Sequence, residues 1–234
     1  MSKHFLLLII IILGFSLRIY NINWDDGGQM HPDERAIVMS TLSLHFPQSF
    51  SEFLSPGSPL NSHFFAYGGL PLYLLRIVGI LAGTASAAFN QYGGIQIVGR
   101  LLSALADIGT IFIIYKIAKK TSGSRLAILA SLAYSLFVFP IQTSHFYAVD
   151  ILLTFFMTLT LYRCIKYIDK PTILNTVLLS LSFALATSTK ISAAVLLFPI
   201  FLAFIFSHWE SVDKNRYLRQ MQMIEQLLLP KIYK

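Results

Sequence analysis

The chain has 234 residues, of which 55% are hydrophobic and only 12% charged, with a mean hydropathy of +0.65 and a net charge of +7. A soluble domain carries about 25% charged residues, so a water-soluble globular class is excluded and the apolar runs point to one helical membrane bundle. The single cysteine, Cys164, excludes an internal disulfide, has no metal-ligand spacing around it, and reads as a small buried apolar residue.

The first predicted element is the run 5–20, nearly unbroken Leu and Ile. Lys3 ahead of it gives the look of a secretion signal. No small-residue cleavage site follows, however, and Arg18 stands where one should be, so the run reads as an uncleaved anchor. The next segment, Asp25-Asp26-Gly27-Gly28-Gln29-Met30-His31-Pro32-Asp33-Glu34, holds four of the eleven acidic residues at the water-facing end of that anchor. Pro32-Asp33-Glu34 also reads as a helix start, because proline suits the first helical position and acids suit the first turn. The two readings are compatible, since a helix start holds a carboxylate rigidly.

The outer segment that follows, 21–99, is too long for a simple turn. It carries turn-rich pieces, Ser55-Pro56-Gly57-Ser58-Pro59 and Tyr67-Gly68-Gly69-Leu70-Pro71, and a predicted amphipathic helix over 35–45 with Ile37, Val38, Leu42 and Leu44 on one face. The stretch 72–89, interrupted by Arg76, Gly79 and Gly83, reads as an interfacial helix at the outer surface. Further apolar runs follow at 101–117, 126–141, 149–162, 173–187 and 195–206. A span needs about 20 mostly apolar residues to cross a core of about 30 Å, so with flanking residues the chain has about six. The expected fold is therefore an all-α polytopic transmembrane bundle with a long first extracytoplasmic loop bearing interfacial helices. From 207 onward, charged and amide residues interleave with Met221, Met223, Ile224, Leu227, Leu228 and Leu229, which reads as an amphipathic cytoplasmic tail, either on the inner leaflet or leading toward further sequence.

With the amino terminus in the cytoplasm, 13 of the 18 basic residues fall inside, in Lys3, the loop Lys116 to Arg125, the segment Arg163 to Lys170, and the tail. The positive-inside rule favours that orientation, in a plasma membrane, and leaves the acidic loop outside. The basic balance is thus a topology signal and not one for nucleic acid.

Several ionisable residues sit in or beside spans, where they are costly and face a cavity or a partner. Arg100 opens one span and Asp107 lies about 10 Å deeper along it. His145 and Asp150 bracket the outer end of the span near 149, and Lys190 closes the span that starts near 172. Arg100 and Lys190 each have a plain reading as snorkelling interface residues, whereas Asp107 belongs to the bundle interior. Taken together, the outer face offers a carboxylate cluster (Asp25, Asp26, Asp33, Glu34) with His31, two cations, and His145 with Asp150. This set suits a reaction at the outer leaflet on a lipid phosphate. The cations would neutralise the phosphate, which leaves with little proton help. The acceptor hydroxyl needs a base, which Asp33 or Glu34 could supply.

These residues resemble the amino-terminal half of the GT-C membrane glycosyltransferases, closest to the dolichyl-phosphate-mannose protein mannosyltransferase and aminoarabinose transferase group. The resemblance runs from residue 1 to about 206. It is carried by His31-Pro32-Asp33-Glu34-Arg35 after the first span and Gly68-Gly69-Leu70-Pro71-Leu72 later in the loop. Arg100-Leu101-Leu102-Ser103 at the second span, His145-Phe146-Tyr147-Ala148-Val149-Asp150, and Thr189-Lys190-Ile191-Ser192-Ala193 complete it. It implies an inverting transfer from a polyprenyl-phosphate sugar to a protein, lipid or glycan acceptor, with Asp33 and Glu34 as the motif's acids and Arg100 and Lys190 as donor-phosphate contacts. Asp25, Asp26, His31, His145 and Asp150 are supporting residues. Some relatives use a divalent metal near this acid and others do not, which leaves the metal open. Family members continue through more spans and often a soluble outer domain, so the expected division is a transmembrane module, 1–206, and a tail or truncation remnant, 207–234. That departure keeps a truncated or inactive copy among the expectations. The competing classes are a transporter-like protein, which would carry midplane charges on broken helices related by a repeat, and a non-catalytic membrane scaffold.

Overall fold

The structure, a computed structural model, describes residues 3–208. All regular structure among these residues is helical. The longer helices are α1 (Lys3–Ile19), α2 (Pro32–Leu42), α3 (Phe50–Leu54), α4 (Leu70–Gly83), α5 (Ile95–Ser135), α6 (Val138–Ser144), α7 (Val149–Asp169) and α8 (Ile173–Thr189). A final helix, α9 (Ile191–His208), opens with a 3-10 stretch. The all-α membrane expectation is met: α5, α7 and α9 are each long and apolar enough to cross a membrane. The expected count of about six spans is not reached among the described residues: the apolar runs fall largely in helices, but α1 and α8, at 17 residues each, are shorter than these three. The run 126–141 does not stay one rod, because the helix stops at Ser135 and α6 restarts after Phe137. The tail expectation falls outside the described residues from 209 onward.

Helix α5 is two antiparallel limbs. Gly123 has φ 83° and ψ 173°, a conformation that glycine adopts freely because it lacks a Cβ. The Tyr134 hydroxyl donates to Asp107 at 2.7 Å; in a straight helix residues 27 apart would be separated by about 40 Å. The hairpin closes on α1. Leu7 packs with Tyr115 and Ala127 near the turn, and Arg18 Nε donates to Asp107 at 2.5 Å at the other end, with both side chains fully buried. Arg18 Nη1 also donates to the Gly14 and Ser135 carbonyls. Asp107 is thus the interior partner of the one cation in the first apolar run.

Helix α2 packs on α4 and α5 through Ile37 and Val38, both fully buried in the main core with Leu75, Ile95, Tyr147 and Val149. It starts at Pro32, earlier than the apolar pattern alone indicates, and ends at Leu42. Helix α4 has 14 residues, too few to span, and buries Leu72 and Leu75. Cys164 is buried with Tyr167, Leu179 and Ala203, as its composition suggested. The acidic loop, the start of α5 and the α8–α9 junction meet at one end of the bundle. Lys116, Lys119, Lys120 and Lys166 meet at the other.

Candidate active site

The site end is built around one guanidinium. Arg100, fully buried at the start of α5, donates from Nε to Glu34 Oε1 (2.8 Å) and from Nη2 to Glu34 Oε2 (2.6 Å) and Asp25 Oδ2 (2.7 Å). Its Nη1 donates to Asp25 Oδ1 (2.9 Å) and the Ile22 carbonyl (3.0 Å). A guanidinium has five N–H groups, and all five are taken, leaving none for a phosphate. The two carboxylates leave a net negative charge, which backbone donors offset: Gly27 and Met30 to Asp25, both at 3.3 Å, and Tyr147 to Glu34 at 2.9 Å. Hydrogen bonding to Arg100, against the cost of burial and with help from the Met30 amide, holds the Asp25 carboxyl below its ordinary range. The clamp ties the loop, α2, α5 and the α6–α7 junction together.

Asp33 leaves Glu34's company at once. Successive residues on a helix are about 100° apart, so Glu34 shares the face of Ile37 and Val38 while Asp33 points elsewhere, half-buried. It lies beside Tyr67, whose phenol is pushed above its usual range by burial first, then by Asp33, with Asp150 contributing. Lys190 stands 5.6 Å from the centre of the Tyr67 ring and donates to Asp150 at 3.3 Å. Both members of that pair are partly exposed, 35% for Lys190 and 54% for Asp150, so the contact adds little stability and leaves the ammonium with donors to spare. Asp33, Tyr67, Asp150 and Lys190, from four separate segments, therefore share one partly open corner.

Gly68 brings Tyr67 there. Its amide donates to the Thr189 carbonyl at 3.0 Å, and a Cβ on it would lie 1.9 Å from the Ser188 carbonyl oxygen. Only a residue without a side chain lets the loop lie against the end of α8, one residue from Lys190. Asp150 sits in the first turn of α7, where a carboxylate suits the helix dipole.

The other expected residues lie apart from this corner. His145 bridges the Ile141 and Tyr20 carbonyls through its two ring nitrogens, at 2.7 and 2.9 Å, and so ties α6 to the end of α1. His31 packs on Phe146 at 4.5 Å, its Nδ1 buried without a hydrogen-bond partner. Asp26 is exposed in the turn at φ 48°. Trp24 lies 5.7 Å from the Arg100 guanidinium and edge-on to Phe146. With Val138, Ile141, Gln142, His145 and Phe146 it lines an apolar cavity of about 480 Å³. Among the described residues no three His, Cys, Asp or Glu side chains converge as metal ligands.

Sequence reasoning passed over Tyr67 as a site residue and treated its segment as a turn. It also missed the Arg18–Asp107 pairing. The assignment of Glu34 to the interior had a visible signal: Glu34 precedes Ile37 by three residues and Val38 by four, the spacing of one helical face.

A family model described as dolichyl-phosphate-mannose-protein mannosyltransferase matches residues 78–227, a range that includes Arg100, Asp150 and Lys190 and begins after Asp25, Asp33, Glu34 and Tyr67. Among curated proteins, the chain is similar to "Putative mannosyltransferase YkcB" of Bacillus subtilis (strain 168), with 27% identity over 198 residues that cover 85% of this chain and 25% of the relative. The chain thus spans about a quarter of that relative's length. No solved structure matches it.

Proposed function

The chain belongs to the dolichyl-phosphate-mannose-protein mannosyltransferase family, and we propose that it carries the base and the donor-phosphate contact of a membrane glycosyltransferase. The donor is a polyprenyl-phosphate sugar, a mannose-type hexose by the family's description, and the acceptor is a hydroxyl of a protein, lipid or glycan. The site end faces the extracytoplasmic side of the plasma membrane, with the lysine-rich end in the cytoplasm as loop charge favours.

One observation supports this reading best. Glu34 and Asp25 are consumed by Arg100, whereas Asp33 is partly open and shares its corner with Lys190. Asp33 takes the proton of the acceptor hydroxyl as its oxygen attacks the sugar's anomeric carbon from the face opposite the phosphate. The bond from that carbon to the phosphate oxygen breaks, the polyprenyl phosphate leaves with the electron pair, and the anomeric configuration inverts. Lys190 stabilises the leaving phosphate, exchanging part of its contact with Asp150 for phosphate oxygens, and Tyr67 offers its hydroxyl between the two. Arg100, Asp25 and Glu34 act as positioning residues that hold α2, and with it Asp33, at a fixed depth. The apolar cavity at Trp24 and Phe146 suits the first isoprene units of the donor.

The test is sugar transfer in proteoliposomes supplied with a labelled polyprenyl-phosphate sugar. Asp33→Asn is expected to lower turnover by at least about a hundredfold, the range of general-base contributions, with expression and melting temperature unchanged. Wild-type turnover in Asp33→Asn would remove the base assignment. Solute flux through the wild-type protein with no lipid-linked sugar consumed would replace the enzyme with a transporter.

A further inference from the structure

At the end of the bundle opposite Asp33, a second cavity of about 550 Å³ is lined by His4, Leu7, Phe112, Tyr115, Lys116, Lys119, Lys120, Tyr162 and Lys166. We propose that it binds the phosphate headgroup of an anionic membrane lipid, seated between α1, the inner part of α5 and the inner part of α7. Four lysines converge here, and among the described residues the carboxylate paired with them is Asp169, on Lys120 at 2.5 Å. Lys116 Nζ rests over the Phe112 ring (4.6 Å) and near Tyr162 (5.7 Å), and Lys119 Nζ lies 5.6 Å from the Tyr115 ring. The Lys116 and Lys119 ammonium groups are thus held by aromatic faces, and among the described residues neither meets a carboxylate. The second, independent observation is Tyr115, which lines the cavity while only 4% exposed and whose buried hydroxyl has no hydrogen-bond partner among the described residues. A buried polar group without a partner is destabilising. A phosphate oxygen in the cavity would accept from this hydroxyl and remove that cost.

The walls select a lipid over a soluble anion. Leu7, Phe112 and Tyr162 give the cavity apolar walls from α1, α5 and α7 beside the lysines, against which an acyl chain lies once its headgroup is seated. The lysines sit near the ends of apolar helices, which is headgroup depth, and each adds to the attraction for an anionic lipid.

Native mass spectrometry of the full chain, released from phosphatidylcholine nanodiscs doped with phosphatidylglycerol, tests the site. The wild-type protein is expected to retain phosphatidylglycerol selectively, with inorganic phosphate at millimolar concentration failing to displace it. Lys116→Gln with Lys119→Gln should weaken retention about tenfold or more, and Tyr115→Phe, which changes one buried atom and leaves the charge intact, by about threefold to tenfold. Arg125→Gln, on the same end but outside the cavity, should leave retention unchanged. Wild-type retention in both Tyr115→Phe and the lysine pair would overturn the proposal. So would an Arg125→Gln loss as large as theirs, which would indicate diffuse surface charge, or displacement by inorganic phosphate, which would indicate a soluble anion. If the lysine pair fails to fold, Tyr115→Phe against Arg125→Gln decides.

Discussion

Asp33 and Glu34 are neighbours in the chain and occupy two different chemical environments: Glu34 is fully buried against Arg100 at 2.6 and 2.8 Å, while Asp33 is half-open beside Tyr67. The two acids of one motif therefore divide the labour of holding the loop and presenting a base. Their substitutions should fail in different assays.

Glu34→Gln should lower folding stability by about 3–5 kcal/mol, because it removes one partner of a buried, fully hydrogen-bonded ion network. Asp33→Asn, on a partly open carboxylate, should shift stability by less than about 0.5 kcal/mol. Thermal melting in detergent micelles, set against the transfer assay, separates the two. Equal destabilisation by both would erase the distinction between them.

The buried pair of Arg18 and Asp107 predicts a non-additive cycle. Arg18→Met alone should cost about 3–5 kcal/mol by leaving the Asp107 carboxylate uncompensated, whereas Arg18→Met with Asp107→Leu should recover most of it. The recovery follows because neither charge is left alone, and because the native pair already leaves Arg18 Nη2 a buried donor without a partner among the described residues. A double variant as unstable as the single would mean the pair contributes beyond its own charges.

Gly68→Ala should disturb Tyr67 and Lys190 together. The added Cβ, 1.9 Å from the Ser188 carbonyl oxygen, forces the loop off the end of α8. Transfer should fall by about tenfold or more, the sensitivity of catalysis to misplacement on the ångström scale, while Arg100, Asp25 and Glu34 keep their contacts. Activity near wild type would show that Tyr67 need not stand beside Lys190.

Asp25 gives the pH dependence its sign. Its carboxyl is held below the ordinary carboxylate range in the folded state, so the unfolded chain binds the proton first as pH falls. The stability it contributes is present above that ordinary value and is lost as pH drops toward the lowered folded one. Melting temperature in detergent should therefore decline on acidification below about pH 4, and Asp25→Asn should flatten that limb while lowering the plateau. An unchanged acid limb in Asp25→Asn would move the titrating group elsewhere.

Tyr67 provides an optical readout of the corner. The difference between the alkaline absorbance titrations of the wild type and Tyr67→Phe should show a phenol that ionises later than a free tyrosine. In the Asp33→Asn background that difference should move back toward the ordinary range. An unmoved curve would place Asp33 out of contact with Tyr67.

Composition and the apolar runs determined by themselves that this is an all-α membrane protein, because long unbroken apolar runs, unlike the short alternating strands of a barrel, satisfy their backbone in lipid as helices. The face of α2 was also legible, since the spacing of Glu34, Ile37 and Val38 is local and follows the helical period. What only the tertiary structure decided was partnership across the chain. Arg100 reads by itself as a snorkelling cation, and by resemblance as a phosphate contact, until Asp25 and Glu34, 75 and 66 residues away, bind its guanidinium. Tyr67 reads as a turn residue until Gly68 lies against Thr189, 121 residues on. Periodicity fixes which way a side chain faces on its own helix, but which charge meets it there depends on how the helices pack.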